Sequence, residues 1–293
     1  MGQIKKILYP TDFSEHSLCA LPYAKELAKN CSAEIHCLHV VDESYQYWLG
    51  AGEAAMPVVM PVEDIKKSAQ EHMKQFVEEH FGDLQNDVVT NIVTGRPFVE
   101  IIRTARELEA DMIVMGTHGR KGLELLFVGS NAERVVRKAP CSVMTVRHNE
   151  ANPVEPFPPE KILVPTDFSL TSERAMVTAT TLAAQYECKI ILLHVLSDLR
   201  MEDAIHWIDY TSTTKSEEEI EAEIRNRAFR ELDAFIDKFP AGEVKVEPMV
   251  VEDRPDEGIA HVAESENVSL IVMGTHGRTG ISHLLMGSTA EKV

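Results

Sequence analysis

The chain is written twice. KKILYPTDFS at residues 5–14 returns as EKILVPTDFS at 160–169, and AEIHCLHVVDE at 33–43 returns as CKIILLHVLSD at 188–198. GTHGRKGLELLFVGS at 116–130 then returns as GTHGRTGISHLLMGS at 274–288, so the order is the same in both halves. The offset is 155 residues from Asp12 to Asp167 and from His39 to His194, but 158 from Gly116 to Gly274, which places a three-residue insertion between those landmarks. Whatever one half folds into, the other must fold into as well. A chain of 293 residues has room for two such cores.

The reading divides the chain into a first domain at 1–148, a linker at 149–160 and a second domain at 161–293. The stretch HNEANPVEPFPPE at 148–160 carries four prolines and reads as an extended, semi-rigid spacer. Within each half, short apolar runs alternate with helical patterns. KILYP, IHCLHVV, VVTNIV, DMIVMG and SVMTV are the strand-like runs of the first half; in IKKSAQEHMKQFVEEHF, Ile65, Ala69, Met73, Phe76 and Val77 fall at helical spacing. This alternation predicts right-handed βαβ units: an α/β chain of two tandem doubly wound parallel-sheet, Rossmann-like domains with helices on both faces. Ligands of such sheets sit at the carboxyl ends of the strands, where the winding reverses.

The glycine motif begins at such an end. Gly116 ends a strand, and Gly119 follows where a side chain would block an anion from the backbone. Gly129 and Ser130 open SNAERVVRK, whose first amides and dipole favour phosphate. A purely structural role stands beside this one. Ser130 with Glu133, and Ser288 with Glu291, also fit a capping box, and Asp12 in Asp-Phe-Ser-Glu fits a helix cap. Two copies at one spacing, each after an apolar strand, favour the ligand reading.

On these motifs the sequence resembles a tandem, ATP-binding member of the universal stress protein family, whose pattern is G-x2-G-x9-G-[ST] after the fourth strand with an Asp after the first. The resemblance covers nearly the whole chain and implies an adenine-nucleotide α-hydrolase-like fold. It places one nucleotide site on Pro10, Thr11, Asp12, Val40, Gly116, Gly119, Gly129, Ser130 and Asn131. The other falls on Pro165, Thr166, Asp167, Val195, Gly274, Gly277, Gly287, Ser288 and Thr289. Backbone groups near Val40 and Val195 would read the adenine edge, the aspartates would face the nucleoside or its metal, and the glycine-serine amides would take the phosphates. ATP with Mg²⁺ is the implied cofactor, since Mg²⁺ binds through one or two carboxylates plus substrate phosphates.

Charge and composition exclude other classes. With 29 Lys+Arg against 47 Asp+Glu, the net charge of −18 opposes nucleic acid and anionic lipid surfaces. No apolar run approaches the roughly 18 residues of a membrane span, and MGQIKKILYP does not read as a secretory signal, so a cytoplasmic protein is expected. Five cysteines without a CxxC fit reduced, mostly buried thiols. His36 and His39 lie three apart on a strand and therefore point to opposite faces, so they do not chelate one ion; Cys37 and His39 read as core. His118 and His276 lie inside the glycine motif, where contact with phosphate and plain loop exposure both remain open. Trp48 and Trp207 fall in the unlike segments 44–61 and 199–215, as loop anchors or ligand covers.

Two departures separate the halves. Gly95-Arg96-Pro97 stands where the second half has Asp253-Arg254-Pro255, so that turn should differ in backbone conformation. Val293 aligns with Val135, so the sequence holds no second counterpart of residues 136–148 and their final strand. The resemblance implies that such edges pair across a dimer or between tandem halves: if the chain stops there, the Val143–Val146 edge would meet the same edge of a second chain in a homodimer, and if a tail follows, the two halves would close on each other instead. The function expected is an ATP-binding stress-response regulator acting through nucleotide-dependent protein partners, with no catalytic residue assigned. The alternative is a slow ATPase or another ATP-using enzyme. It is weakened because neither motif holds the Gly-Lys-[Ser/Thr] of a P-loop or the Ser-Gly-Gly-x-Asp-Ser of the related ATP pyrophosphatases.

Overall fold

The computed structural model describes residues 4–42, 62–82, 84, 88–117, 130–147, 158–197, 216–239, 242–277 and 286–293. The linker prolines before Pro158, both tryptophans, His118, Gly119 and Gly129 lie outside these. The chain separates into two compact units, Gly2–Phe157 and Pro158–Val293.

In the first unit the described elements are β1 (Lys6–Pro10), α1 (Glu15–Leu18), α2 (Leu21–Cys31), β2 (Glu34–Val41) and α3 (Val62–His80). They are followed by β3 (Val88–Thr94), α4 (Pro97–Glu107), β4 (Met112–Gly116), α5 (Ser130–Lys138) and β5 (Ser142–Val146). The strands form one parallel sheet in the order β3-β2-β1-β4-β5. The chain winds outward from β1 in one direction and then in the other, which is the doubly wound topology. Alternation along the strands feeds two layers. Leu8, Leu38, Ile113 and Met115 pack with Ile101 and Ala105 of α4 and Ala132 and Val135 of α5. On the other face Tyr9 stacks on Phe76 of α3 and meets Phe81 edge-on.

The second unit repeats this plan with β6 (Lys161–Pro165), α6 (Leu170–Tyr186), β7 (Lys189–Leu196), α7 (Glu217–Asp237), β8 (Val246–Glu252), α8 (Pro255–Ser265), β9 (Leu270–Ile271) and α9 (Ser288–Lys292). Its described strands run β8-β7-β6-β9, all parallel. Ser216 starts α7 with a full capping box to Glu219. The third-strand turn differs between the halves as its residues require. Gly95 has φ +151, in the region that favours glycine, whereas Asp253 is not among the residues at positive φ. No helix among the described residues is long and apolar enough to cross a membrane.

Candidate functional site

The crevice opens where β1 and β4 part. Their registered pairs end at Leu8↔Ile113, while β1 stays with β2 to Pro10↔Leu38; β6 likewise leaves β9 after Leu163↔Ile271. Just beyond, Thr11 donates its N–H to the Leu38 carbonyl at 2.8 Å, and Thr166 does the same to Leu193 at 2.8 Å. In a parallel ladder the N–H and C=O of one residue face the same neighbour, and the direction alternates along the strand. Leu38 therefore faces β1, Val41 faces β3 (its carbonyl accepts the Gly95 N–H at 3.0 Å), and Val40 again faces the side that β1 is leaving. Val195 is placed in the same way, between Leu193 facing β6 and Leu196 bonded to Asp253.

The turn after each first strand is built alike. Thr11 and Thr166 are buried, and each Oγ1 accepts the N–H of the phenylalanine two residues on, at 3.0 Å in both halves. Phe13 and Phe168 take φ values of 62 and 63, a left-handed conformation costing a bulky residue roughly 1–2 kcal/mol. Between them the half-buried aspartates close the turn. Asp12 Oδ1 accepts from the Ser14 N–H at 3.1 Å and the Ser14 hydroxyl at 2.5 Å; Asp167 Oδ1 accepts from the Ser169 N–H at 3.0 Å and the Ser172 hydroxyl at 2.7 Å. The helix-cap reading of Asp12 is corrected here. The cap residues are Ser14 and Ser169, and the aspartates stand two residues earlier, just beyond the first strands.

The glycines have two separate duties. A Cβ on Gly116 would lie 2.1 Å from the carbonyl oxygen of His16, and one on Gly274 would lie 2.8 Å from Thr171 Cβ. These glycines let the helix that follows the first strand pack against the end of the fourth strand. Gly277 faces the site: a Cβ there would lie 2.8 Å from Asp167 Oδ2. The loop and the aspartate thus meet across 110 residues of sequence (277 − 167). Thr171 Oγ1 bonds the His276 carbonyl and ties the loop to the start of α6. His276 Nδ1 lies 2.9 Å from Thr275 Oγ1, and its Nε2 is buried with no hydrogen-bond partner among the described residues, beside the glycine turn.

The start of α9 differs from the expectation. Gly287 is its cap residue, no side chain caps it, and Ser288 is its first helical residue, so Ser288 does not form the capping box. The Gly287 N–H is bonded to the Thr275 carbonyl at 2.8 Å, which takes it out of the set offered to an anion. The amides left without intrahelical acceptors are those of the first turn, Ser288 and Thr289 among them. In the first half α5 begins at Ser130, with Asn131 exposed next to it.

Other candidates fall away from the site. His36 is buried with Nε2 3.0 Å from Glu34 Oε2, on the face opposite His39. Burial pushes the Cys37 thiol up to about 12 and those of Cys19 and Cys141 up to about 11, so none is poised as a nucleophile at neutral pH. No group of three or more His, Cys, Asp or Glu among the described residues has metal-binding geometry. From the sequence His39 reads as core, and His194 figures only as a landmark of the repeat. Both in fact touch the aspartate turn, through Nδ1 to the carbonyls of Thr11 and Thr166. The signal was present: His39 and Asp12 recur at the same 155-residue offset.

Known proteins match this arrangement. The sequence model of the Universal stress protein family matches residues 3–147 and again 159–293. A universal stress protein of Methanocaldococcus jannaschii is 38% identical over 143 residues, covering 49% of this chain and 82% of that protein. A Mycobacterium tuberculosis universal stress protein is 26% identical over 299 residues, covering 98% and 92%. Among solved structures, a universal stress protein of Archaeoglobus fulgidus superposes with a TM-score of 0.68 at 21% identity, covering 99% of this chain and 94% of that one.

Proposed function

The chain belongs to the universal stress protein family, and on that premise we propose that each half binds ATP with Mg²⁺ and that the protein acts as a nucleotide-dependent regulator of protein partners. One observation carries the reading. At the switch point of the second sheet, a carboxylate and a bare glycine loop meet, Asp167 Oδ2 lying 2.8 Å from the place of a Gly277 Cβ. The first half repeats the aspartate turn, with the Ser14 hydroxyl on Asp12 where the second half has the Ser172 hydroxyl on Asp167. Val40 and Val195 add a backbone donor and acceptor turned toward the same crevice, which suits adenine, whose edge offers an amino donor beside a ring-nitrogen acceptor. The first-turn amides of α5 and α9 favour the phosphates. Asp12 and Asp167 are the carboxylates the chain would offer to Mg²⁺, whose remaining ligands would be phosphate oxygens of the nucleotide and water.

The test uses the full chain. Denaturing purified protein should release adenine nucleotide identifiable by mass spectrometry, and calorimetry with Mg-ATP should find one site per half. Asp12→Asn and Asp167→Asn, which keep an acceptor for the serines, should each weaken one site. A chain that releases no nucleotide and takes up none would end the reading. Phosphate release in the same samples is expected below the range of about 1–10³ s⁻¹ common to enzymes.

A further inference from the structure

We propose that His39 and His194 are positioning residues for the two site aspartates, each imidazole gripping both neighbours of the aspartate it serves. In the first half, His39 Nδ1 lies 2.9 Å from the carbonyl oxygen of Thr11, the residue before Asp12. The same ring stacks on Phe13, the residue after Asp12, at 4.3 Å between centroids and 27° between planes. In the second half, His194 Nδ1 lies 2.8 Å from the Thr166 carbonyl, and its ring packs on Phe168 at 4.7 Å. A carbonyl only accepts, so Nδ1 carries the hydrogen and donates it. The tautomer is fixed by the turn.

The device answers a question that the turn raises. Phe13 and Phe168 sit in left-handed backbone, which bulky residues avoid, and such conformations persist only where the surroundings over-determine them. A ring stacked on the phenylalanine and a hydrogen bond to the preceding carbonyl hold the peptide units on both sides of the aspartate. With both held, the aspartate has one direction in which to aim its carboxylate. In the second half that direction is toward Gly277. The histidine lies on the second strand, and the same strand's next residue, Val40 or Val195, turns its backbone into the crevice. One strand thereby sets both the base edge and the carboxylate.

The functional consequence rests on the aspartates facing nucleotide, so the test has two arms. In an Asp12→Asn background, where the second half dominates binding, His194→Phe keeps a flat ring on Phe168 and removes the donor. His194→Asn places an amide nitrogen where Nδ1 stood and removes the ring. Mg-ATP affinity should fall about tenfold in the Phe variant, the change that corresponds to one lost hydrogen bond, and recover most of that in the Asn variant. Thermal midpoints should run the other way, because Asn leaves a gap beside Phe168. Affinities that follow the midpoints in order would reduce the histidine to a packing residue and overturn the proposal. A crystal structure of the His194→Phe variant reads the grip without any ligand: the Asp167 carboxylate should leave its place beside Gly277. An unmoved carboxylate overturns the grip whatever binds, whereas a wild-type chain with no affinity for ATP overturns the nucleotide reading and leaves this arm to decide the grip.

Discussion

DMIVMG and SLIVMG are nearly the same sequence, and they end as different strands. In the first half β4 runs Met112–Gly116 between β1 and β5, and Met115 is buried; in the second, β9 is Leu270–Ile271, bonded to β6 alone among the described strands, and Met273 keeps partial exposure. β4 pairs with β5 at every residue from Met112↔Ser142 to Gly116↔Val146. The extent of a strand is set by hydrogen-bond pairing with other segments, which nearly identical residues do not fix.

The same comparison holds at the glycines. Gly116 meets a backbone carbonyl and Gly274 meets the Thr171 side chain, so one glycine tolerates nothing and the other has some give. At the third-strand turn the halves have exchanged roles. Gly95 makes room for Glu100, whose Oε1 would lie 2.9 Å from a Cβ there; five residues on in the second half, Gly258 makes room for Asp253, whose Cβ would lie 3.1 Å away. Each half needs one glycine in this pair of positions and one carboxylate beside it.

The largest expected effect comes from breaking the tighter contact. Gly116→Ala should destabilise the first half by about 3 kcal/mol, and Gly274→Ala the second by about 1–2 kcal/mol, since overpacking against backbone relaxes less than overpacking against a side chain. Denaturant unfolding of each variant checks the order; equal losses would mean that the His16 carbonyl moves freely. Next in size, Gly95→Asp should cost about 1–3 kcal/mol through left-handed backbone and the Glu100 clash. Adding Glu100→Gly should return part of that loss, and a double-mutant cycle with no coupling between 95 and 100 would break the exchange.

The smallest effect separates the halves by pH. Glu247 is held down to about 2 by Lys245 first and Lys189 second, at 2.7 and 2.9 Å, while the first half has Glu34 and Val89 at the places of Lys189 and Glu247. A carboxyl lowered on folding contributes above its ordinary value of 4.5 and loses that contribution as the pH falls toward 2. The group is partly exposed and screened, so the whole contribution is below about 1 kcal/mol. Glu247→Gln should flatten the acid dependence of the second unfolding transition and leave the first unchanged; an equal change in both would sink the assignment.

Much of the site was legible because it was repeated. Pro10-Thr11-Asp12 and Pro165-Thr166-Asp167 lie at the ends of the innermost strands, and the backbone of Val40 and Val195 faces the side that β1 and β6 leave. What escaped was contact between segments far apart in the chain. Nothing local in LHV says that its imidazole reaches the Thr11 carbonyl, 28 residues back. Nothing in GTHG at 274–277 says that Gly274 serves a helix and Gly277 an aspartate.

The duplication, the alternation of strand and helix, and the order of the aspartates and glycine motifs can be read along the chain, because periodicity and spacing are properties of residues in sequence. What Gly116, Gly274 and Gly277 pack against, how far β4 runs and which histidine meets each aspartate turn came from the packing of distant segments. Those outcomes depend on which segment packs alongside, which the order of residues along the chain does not state.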